Sequence, residues 1–242
     1  MRFDWRLRNG VASPANFALL LSFLLIFPLI LRFTGALAVA NEGPQSPDHT
    51  RAFLRFCLVL TGFLWTIFMI AFTGIRNRNT ITWRQLIGTE WRGTISIAVH
   101  LGVAVLAFVA MALIGSASAA LLGPLQHDSR AFQSMVAQTP IEAFAFLVLA
   151  LSAGFVEEFV FRGYIQRQCH ALFGNMALAS LVQIAIFTSG HIYQGWLRLL
   201  PVMLIGLLLT ITALWRKSLI PGMVAHGFGD GLVSFIYFFK YL

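Results

Sequence analysis

Long runs of apolar residues separated by short polar stretches organise this chain. The runs are continuous, not alternating. Period-two alternation marks the strands of a membrane barrel, whereas an unbroken apolar stretch of about twenty residues is a spanning helix. Seven segments of spanning or near-spanning length follow, at roughly 15–38, 52–75, 94–122, 141–172, 176–192, 197–215 and 219–240. The fifth and sixth are short, so the turn between them is free to sit below the membrane surface. Pro140 and Pro221 stand where the fourth and seventh segments begin, in the first helical turn that tolerates proline. The pattern predicts an all-α fold: a polytopic transmembrane bundle of about seven to eight helices around an intramembrane polar pocket.

Composition strengthens that reading. The chain has 242 residues, 58% of them hydrophobic and 11% charged, and a mean hydropathy of +0.80. Soluble domains carry about 25% charged residues. Cys57 and Cys169 lie in or beside apolar segments and suggest neither a disulfide framework nor a thiolate metal site.

The net charge of +8 does not form a patch, which argues against nucleic acid as a partner. The bases punctuate the ends of apolar runs, as the positive-inside rule requires. Arg2, Arg6 and Arg8 precede the first segment, and Arg76, Arg78, Arg84 and Arg92 lie between the second and third. Arg162 and Arg167 close the fourth, and Arg216 and Lys217 close the sixth. The stretches 39–51 and 123–140 hold Glu42, Asp48 and Asp128. This alternation expects the N-terminus inside and the C-terminus outside, in a multi-pass protein of the cell inner (cytoplasmic) membrane. Thr80–Arg92, with Trp83 and Trp91, reads either as an interfacial segment on the inner face or as a loop with aromatic belt residues. The N-terminus resembles a signal peptide ending at Ala36–Ala40, but its apolar stretch is long for one, which favours an uncleaved anchor.

Chemistry concentrates in residues 141–242, and 1–140 reads as N-terminal transmembrane helices plus the interfacial segment of one integrated domain. Glu157 and Glu158 stand inside an apolar run. Ionisable groups at membrane depth are expensive and need partners. Arg162, four residues after Glu158, shares its helix face; Glu157 has no such local partner, the condition of a general base. Two further clusters, Phe187 to His191 and His226 to Asp230, pair their end residues at the same spacing. If the fourth and fifth segments form a hairpin at Gly174, then Glu157 and His191, each seventeen residues from it, reach the same depth. The three clusters then meet in one pocket in the inner half of the membrane. There Glu157 and His191 could hold a water, His226 with Asp230 could stabilise an oxyanion, and Glu158 with Arg162 would keep Glu157 oriented. His49, His100, His127 and His170 lack acidic partners in comparable settings. Thr188 and Ser189 lack the other members of a serine triad.

The ordered set Glu157-Glu158-x-x-x-Arg162, Phe187-x-x-x-His191 and His226-x-x-x-Asp230 resembles the signature of the CAAX prenyl protease and bacteriocin-processing (CPBP, or Abi) family of intramembrane proteases. The resemblance spans about Ile141 to Tyr237. It implies a glutamate-dependent endopeptidase acting within the bilayer on a peptide or protein substrate, either prenylated at its C-terminus or of the bacteriocin-processing and immunity kind. By the same resemblance Glu157 matches the water-activating glutamate, His191 the histidine that helps hold the water, and His226 and Asp230 the oxyanion pair. Asp230 is a departure of consequence, since an ionised carboxylate cannot donate to an oxyanion. It must be protonated, orient His226 or bind a metal. The sequence requires no cofactor. Glu157, His191, His226 and Asp230 also offer a donor set that suits zinc, which leaves a zinc-dependent version of the protease open. A proton-coupled transporter and a non-catalytic membrane binding or immunity protein are the rivals. Transport is disfavoured because the polar residues cluster in one half of the chain.

Overall fold

The structure is a computed structural model that describes residues 6–40, 46, 48–88, 94–126 and 137–240, with side chains at all of these except 39–40, 124–126 and 233–240. His127, Trp91, Arg92, Glu42, Asp128 and Arg2 lie outside the described residues. Among those described, eight helices form an all-α bundle: α1 (Pro14–Phe33), α2 (His49–Arg78), the short α3 (Trp83–Ile87), α4 (Thr94–Gln126), α5 (Pro140–Phe173), α6 (Met176–Ser189), α7 (Leu199–Arg216) and α8 (Ile220–Lys240). Five spans are long and apolar enough to cross a membrane, namely α1, α2, residues Thr94–Gly123 of α4, α5, and α7 with the short turn before it. α6 is an apolar helix of 14 residues. Side chains such as Leu25, Phe33, Leu58, Ile95 and Leu121 turn outward from the bundle. Water would not tolerate such a surface, and lipid does. The chain is an integral membrane protein.

α5 is the axis of the bundle. It packs on α2 along one side and on α8 along the other, and its C-terminal third pairs with α6. Its start is set by sequence: Pro140 takes the first helical position, while Thr139 and Glu142 cap the free N–H groups reciprocally. Its end is set by Gly174, whose φ of +65° supplies the left-handed residue that stops a helix. The hairpin expected at Gly174 is therefore present, and Asn175 caps α6 on the other arm. Between Glu158 and Ile165 the helix of α5 widens into a π turn in which every residue is buried. Such turns are rare and concentrate at functional sites.

α5 and α8 cross at Gly154 and Gly227. A Cβ on Gly154 would lie 2.5 Å from the Gly227 Cα and 2.8 Å from the Met223 carbonyl oxygen. Small residues at a membrane crossing let backbones approach this closely. The contact stands three residues before Glu157 and one after His226, so it sets how near those side chains come.

Two boundaries differ from the hydropathy pattern. The fifth segment was expected to continue to 192, yet α6 stops at Ser189, and Ile192–Gln194 and Trp196–Arg198 form two 3-10 turns around Gly195 at φ +100°. The Gly190 and Gly195 breaks outweigh the apolar character of the stretch. Within Thr80–Arg92, the described part contains the helix α3, closed by a capping box between Thr82 and Gln85. Leu86 and Ile87 of α3 are buried, and the Ile87 carbonyl accepts from the Leu219 N–H. This docks α3 on the turn between α7 and α8.

Candidate active site

Glu157 and Glu158 are adjacent and have different surroundings. One helix position rotates a side chain by about a quarter-turn, and the two carboxylates separate accordingly. Glu158 is fully buried. Its Oε1 accepts from Arg162 Nη1 at 2.9 Å and faces His226 Nδ1 at 3.3 Å. Its Oε2 lies against α8, where a Cβ on Gly222 would come within 2.9 Å of it. Arg162 is held at three points: Glu158, the Gly206 carbonyl of α7 at 3.1 Å, and the face of Phe187 at 4.5 Å. A guanidinium that donates in a plane and stacks on a ring uses both of its recognition modes. This one cation ties α5, α6 and α7 together.

Glu157 instead lines a cavity of about 710 Å³ that it shares with His191, His226 and Asp230. Its Oε2 is buried and makes no hydrogen bond among the described residues. The nearest cation is His226 Nε2 at 3.8 Å. His226 also approaches Asp230 Oδ2, at 3.4 Å from Nε2. Each of its ring nitrogens thus faces a carboxylate, and only the imidazolium form donates from both. His191 Nδ1 lies 2.9 Å from the Phe187 carbonyl. A carbonyl only accepts, which assigns the proton to Nδ1 and leaves Nε2 with a lone pair.

The structure thus brings Glu157, His191, His226 and Asp230 onto one cavity, with Glu158 and Arg162 packed behind them. The rest of the cavity is apolar. Leu21, Leu24 and Phe27 of α1 and Phe56, Leu60 and Phe63 of α2 supply much of its wall. Tyr193, which carries no motif signal, also lines it. Its ring lies 6.3 Å from that of His191 and 6.1 Å from that of Phe27. Its position depends on the turn after α6, which begins before the fifth apolar segment ends.

The expectation that His49 lacks an acidic partner is wrong. His49 Nδ1 lies 3.3 Å from Glu142 Oε1, and both side chains are buried. The partner is 93 residues away, so no local spacing could reveal it. Glu142 Oε2 meanwhile accepts from the backbone N–H groups of Gln138 and Thr139. This pair fastens the start of α2 to the start of α5. His100 bonds the Ser96 carbonyl at 2.7 Å, within its own helix.

Residues 139–232 match the family model described as Rce1-like, type II CAAX prenyl endopeptidase Rce1-like. This segment is similar to the Rce1-like family. The match covers all three motifs, and the resemblance drawn from them holds. At family level this match supports a CAAX-type intramembrane endopeptidase with a peptide or protein substrate. No curated protein matches the chain. No solved structure matches it either. Among the described residues, no three His, Cys, Asp or Glu side chains converge where a metal ion could be held.

Proposed function

We propose that the chain is a glutamate-dependent intramembrane endopeptidase that cleaves near the prenylated C-terminus of its substrate, using water activated by Glu157. The observation that carries the reading is the shared cavity. Glu157 presents an oxygen without a hydrogen-bond partner to the same space as His191 and His226. A water between Glu157 and His191 donates one proton to the carboxylate and the other to the free Nε2 of His191. As the water oxygen attacks the scissile carbonyl carbon, its proton passes to Glu157. The carbonyl oxygen becomes an oxyanion, which His226 Nε2–H stabilises. The protonated Glu157 then delivers its proton to the departing amine, and the tetrahedral intermediate collapses to acid and amine. Asp230 acts as the orienting partner of His226, because a carboxylate accepts and cannot donate. Glu158 and Arg162 hold the α5 turn that aims Glu157.

The apolar wall of α1 and α2 supports a lipid-modified substrate, since it continues from the polar residues without a break and is lined by leucine and phenylalanine. A cavity of this size suits a ligand that buries most of its surface. Bases at the C-terminal ends of α5 and α7 support a cytoplasmic side for that end of the bundle, in the inner membrane.

The deciding experiment is cleavage by purified, reconstituted protein of prenylated and unprenylated peptides, beside Glu157→Gln. Cleavage of the prenylated peptide, lost in a folded Glu157→Gln protein, is expected. Undiminished activity in that variant rejects the assignment.

A further inference from the structure

A second cavity, of about 520 Å³, lies at the basic end of the bundle. The segment before α1 (Asn9, Gly10, Val11), Thr80 and Ile81, the end of α5 and the turn between α7 and α8 form its walls. Its cations are Arg167, His170 and Lys217, and its neutral polar groups include Asn9, Thr80, Gln166 and Ser218. No carboxylate among the described residues lines it.

The positive-inside rule accounts for bases at this end, but not for a chamber built around them. Three further features point to an anion. Arg162 forms part of the wall, is almost wholly buried, and keeps an Nε without a hydrogen-bond partner among the described residues. Met176, the first residue of α6, and Ser218 and Leu219, immediately before α8, also line the space. Two helix N-termini therefore border the same chamber, each carrying a partial positive charge. Leu214 and Met176 add apolar surface, and Leu214 is largely exposed on the outer face of the bundle, beside the still more exposed Trp215. The chamber therefore borders the lipid-facing surface.

We propose that this chamber binds a phosphate group, presented as the headgroup of an anionic phospholipid from the leaflet at the basic end. The phosphate sits among Arg167, His170 and Lys217, and the acyl chains run outward past Leu214. Basic pockets between membrane helices recognise anionic lipids by this combination of charge and apolar rim. The site is separate from the Glu157 cavity and does not depend on the proposed protease mechanism.

The test is native mass spectrometry of the full chain, purified in detergent and offered phosphatidylglycerol and phosphatidylcholine in equal amounts. One phosphatidylglycerol per chain is expected, retained at least tenfold over phosphatidylcholine. Arg167→Gln combined with Lys217→Asn should lower retention about tenfold; asparagine tolerates the left-handed conformation of Lys217, at φ +50°. His170→Gln changes an exposed side chain and keeps the test sound if the double variant does not fold. Ala213→Leu fills the chamber without altering charge and should also reduce retention. Displacement by millimolar inorganic phosphate would assign the chamber to the phosphate alone, and resistance to it would assign the whole lipid; either supports an anion site. Equal retention of both lipids, or retention unchanged in every folded variant, overturns it.

Discussion

Gly154→Ala should cost activity as well as stability. The added methyl would stand 2.5 Å from Gly227 Cα and 2.8 Å from the Met223 oxygen, whereas carbon atoms rest at about 3.5–4.0 Å. Both obstacles are backbone, so no side chain can step aside, and α5 and α8 must part by about 1 Å. Glu157 and His226 face each other across that crossing, 3.8 Å apart. A displacement of about 1 Å at a reacting geometry is worth about 100-fold in rate, or about 2.7 kcal/mol at 1.36 kcal/mol per decade. Overpacking costs about 1–3 kcal/mol of stability. The crossing contains its own control, because a Cβ on Gly227 meets Ala150 and Leu151 at an ordinary 3.5 Å. Gly227→Ala should therefore keep activity within a few-fold. The assay is kcat/KM for a prenylated peptide in proteoliposomes, with circular dichroism and thermal unfolding to confirm the fold. If Gly154→Ala retains wild-type kcat/KM, or if both glycines respond alike, the crossing does not set the site.

Three other outcomes follow from the geometry. Arg162→Met and Glu158→Gln should each cost about 3–5 kcal/mol in unfolding experiments in mixed micelles, since each strands a buried partner; the double variant should cost clearly less than their sum, and simple additivity would show the pair uncoupled. A chelator should leave peptide cleavage unchanged under the glutamate mechanism; loss restored by zinc would replace that mechanism with a metal-dependent one. Glu142→Gln should lower stability by about 1–3 kcal/mol through its cap and its contact with His49, with kcat unaltered, because the pair does not line the Glu157 cavity.

The sequence made the helices legible where apolar runs were long and their ends carried specific caps. Pro140 and Thr139 mark the start of α5, and Gly174 marks its turn. The meeting of Glu157 with His191 could be read because equal spacing on two arms of a hairpin fixes depth. The π turn at Glu158–Ile165 could not be read, since nothing in Phe159-Val160-Phe161 distinguishes a widened turn from an α-helical one. The Gly154–Gly227 crossing was equally hidden, because a glycine shows its purpose only against the backbone that approaches it. Tyr193 and the His49–Glu142 pair were missed for related reasons. The first carries no motif and lies in the turn between two apolar segments, and the second depends on a contact between residues distant in sequence.

The contrast between Glu157 and Glu158 explains how one pair of identical side chains serves two ends. Glu158 faces the α8 backbone at Gly222 and its partner Arg162 the α7 backbone at Gly206, where the missing side chains leave room for an ion pair. Its full burial with Arg162 costs desolvation, which the guanidinium's further contacts with Gly206 and Phe187 help offset. Glu157, one residue earlier, looks instead into open space. It has only a distant imidazole nearby, a poor arrangement for stability and a good one for accepting a proton from a bound water. In the proposed mechanism the buried pair is therefore a support and the free carboxylate the reacting group. Exchanging the two environments would fail on both counts. A glutamate at the Gly222 surface does not line the Glu157 cavity, and one paired with Arg162 is held as an ion-paired carboxylate.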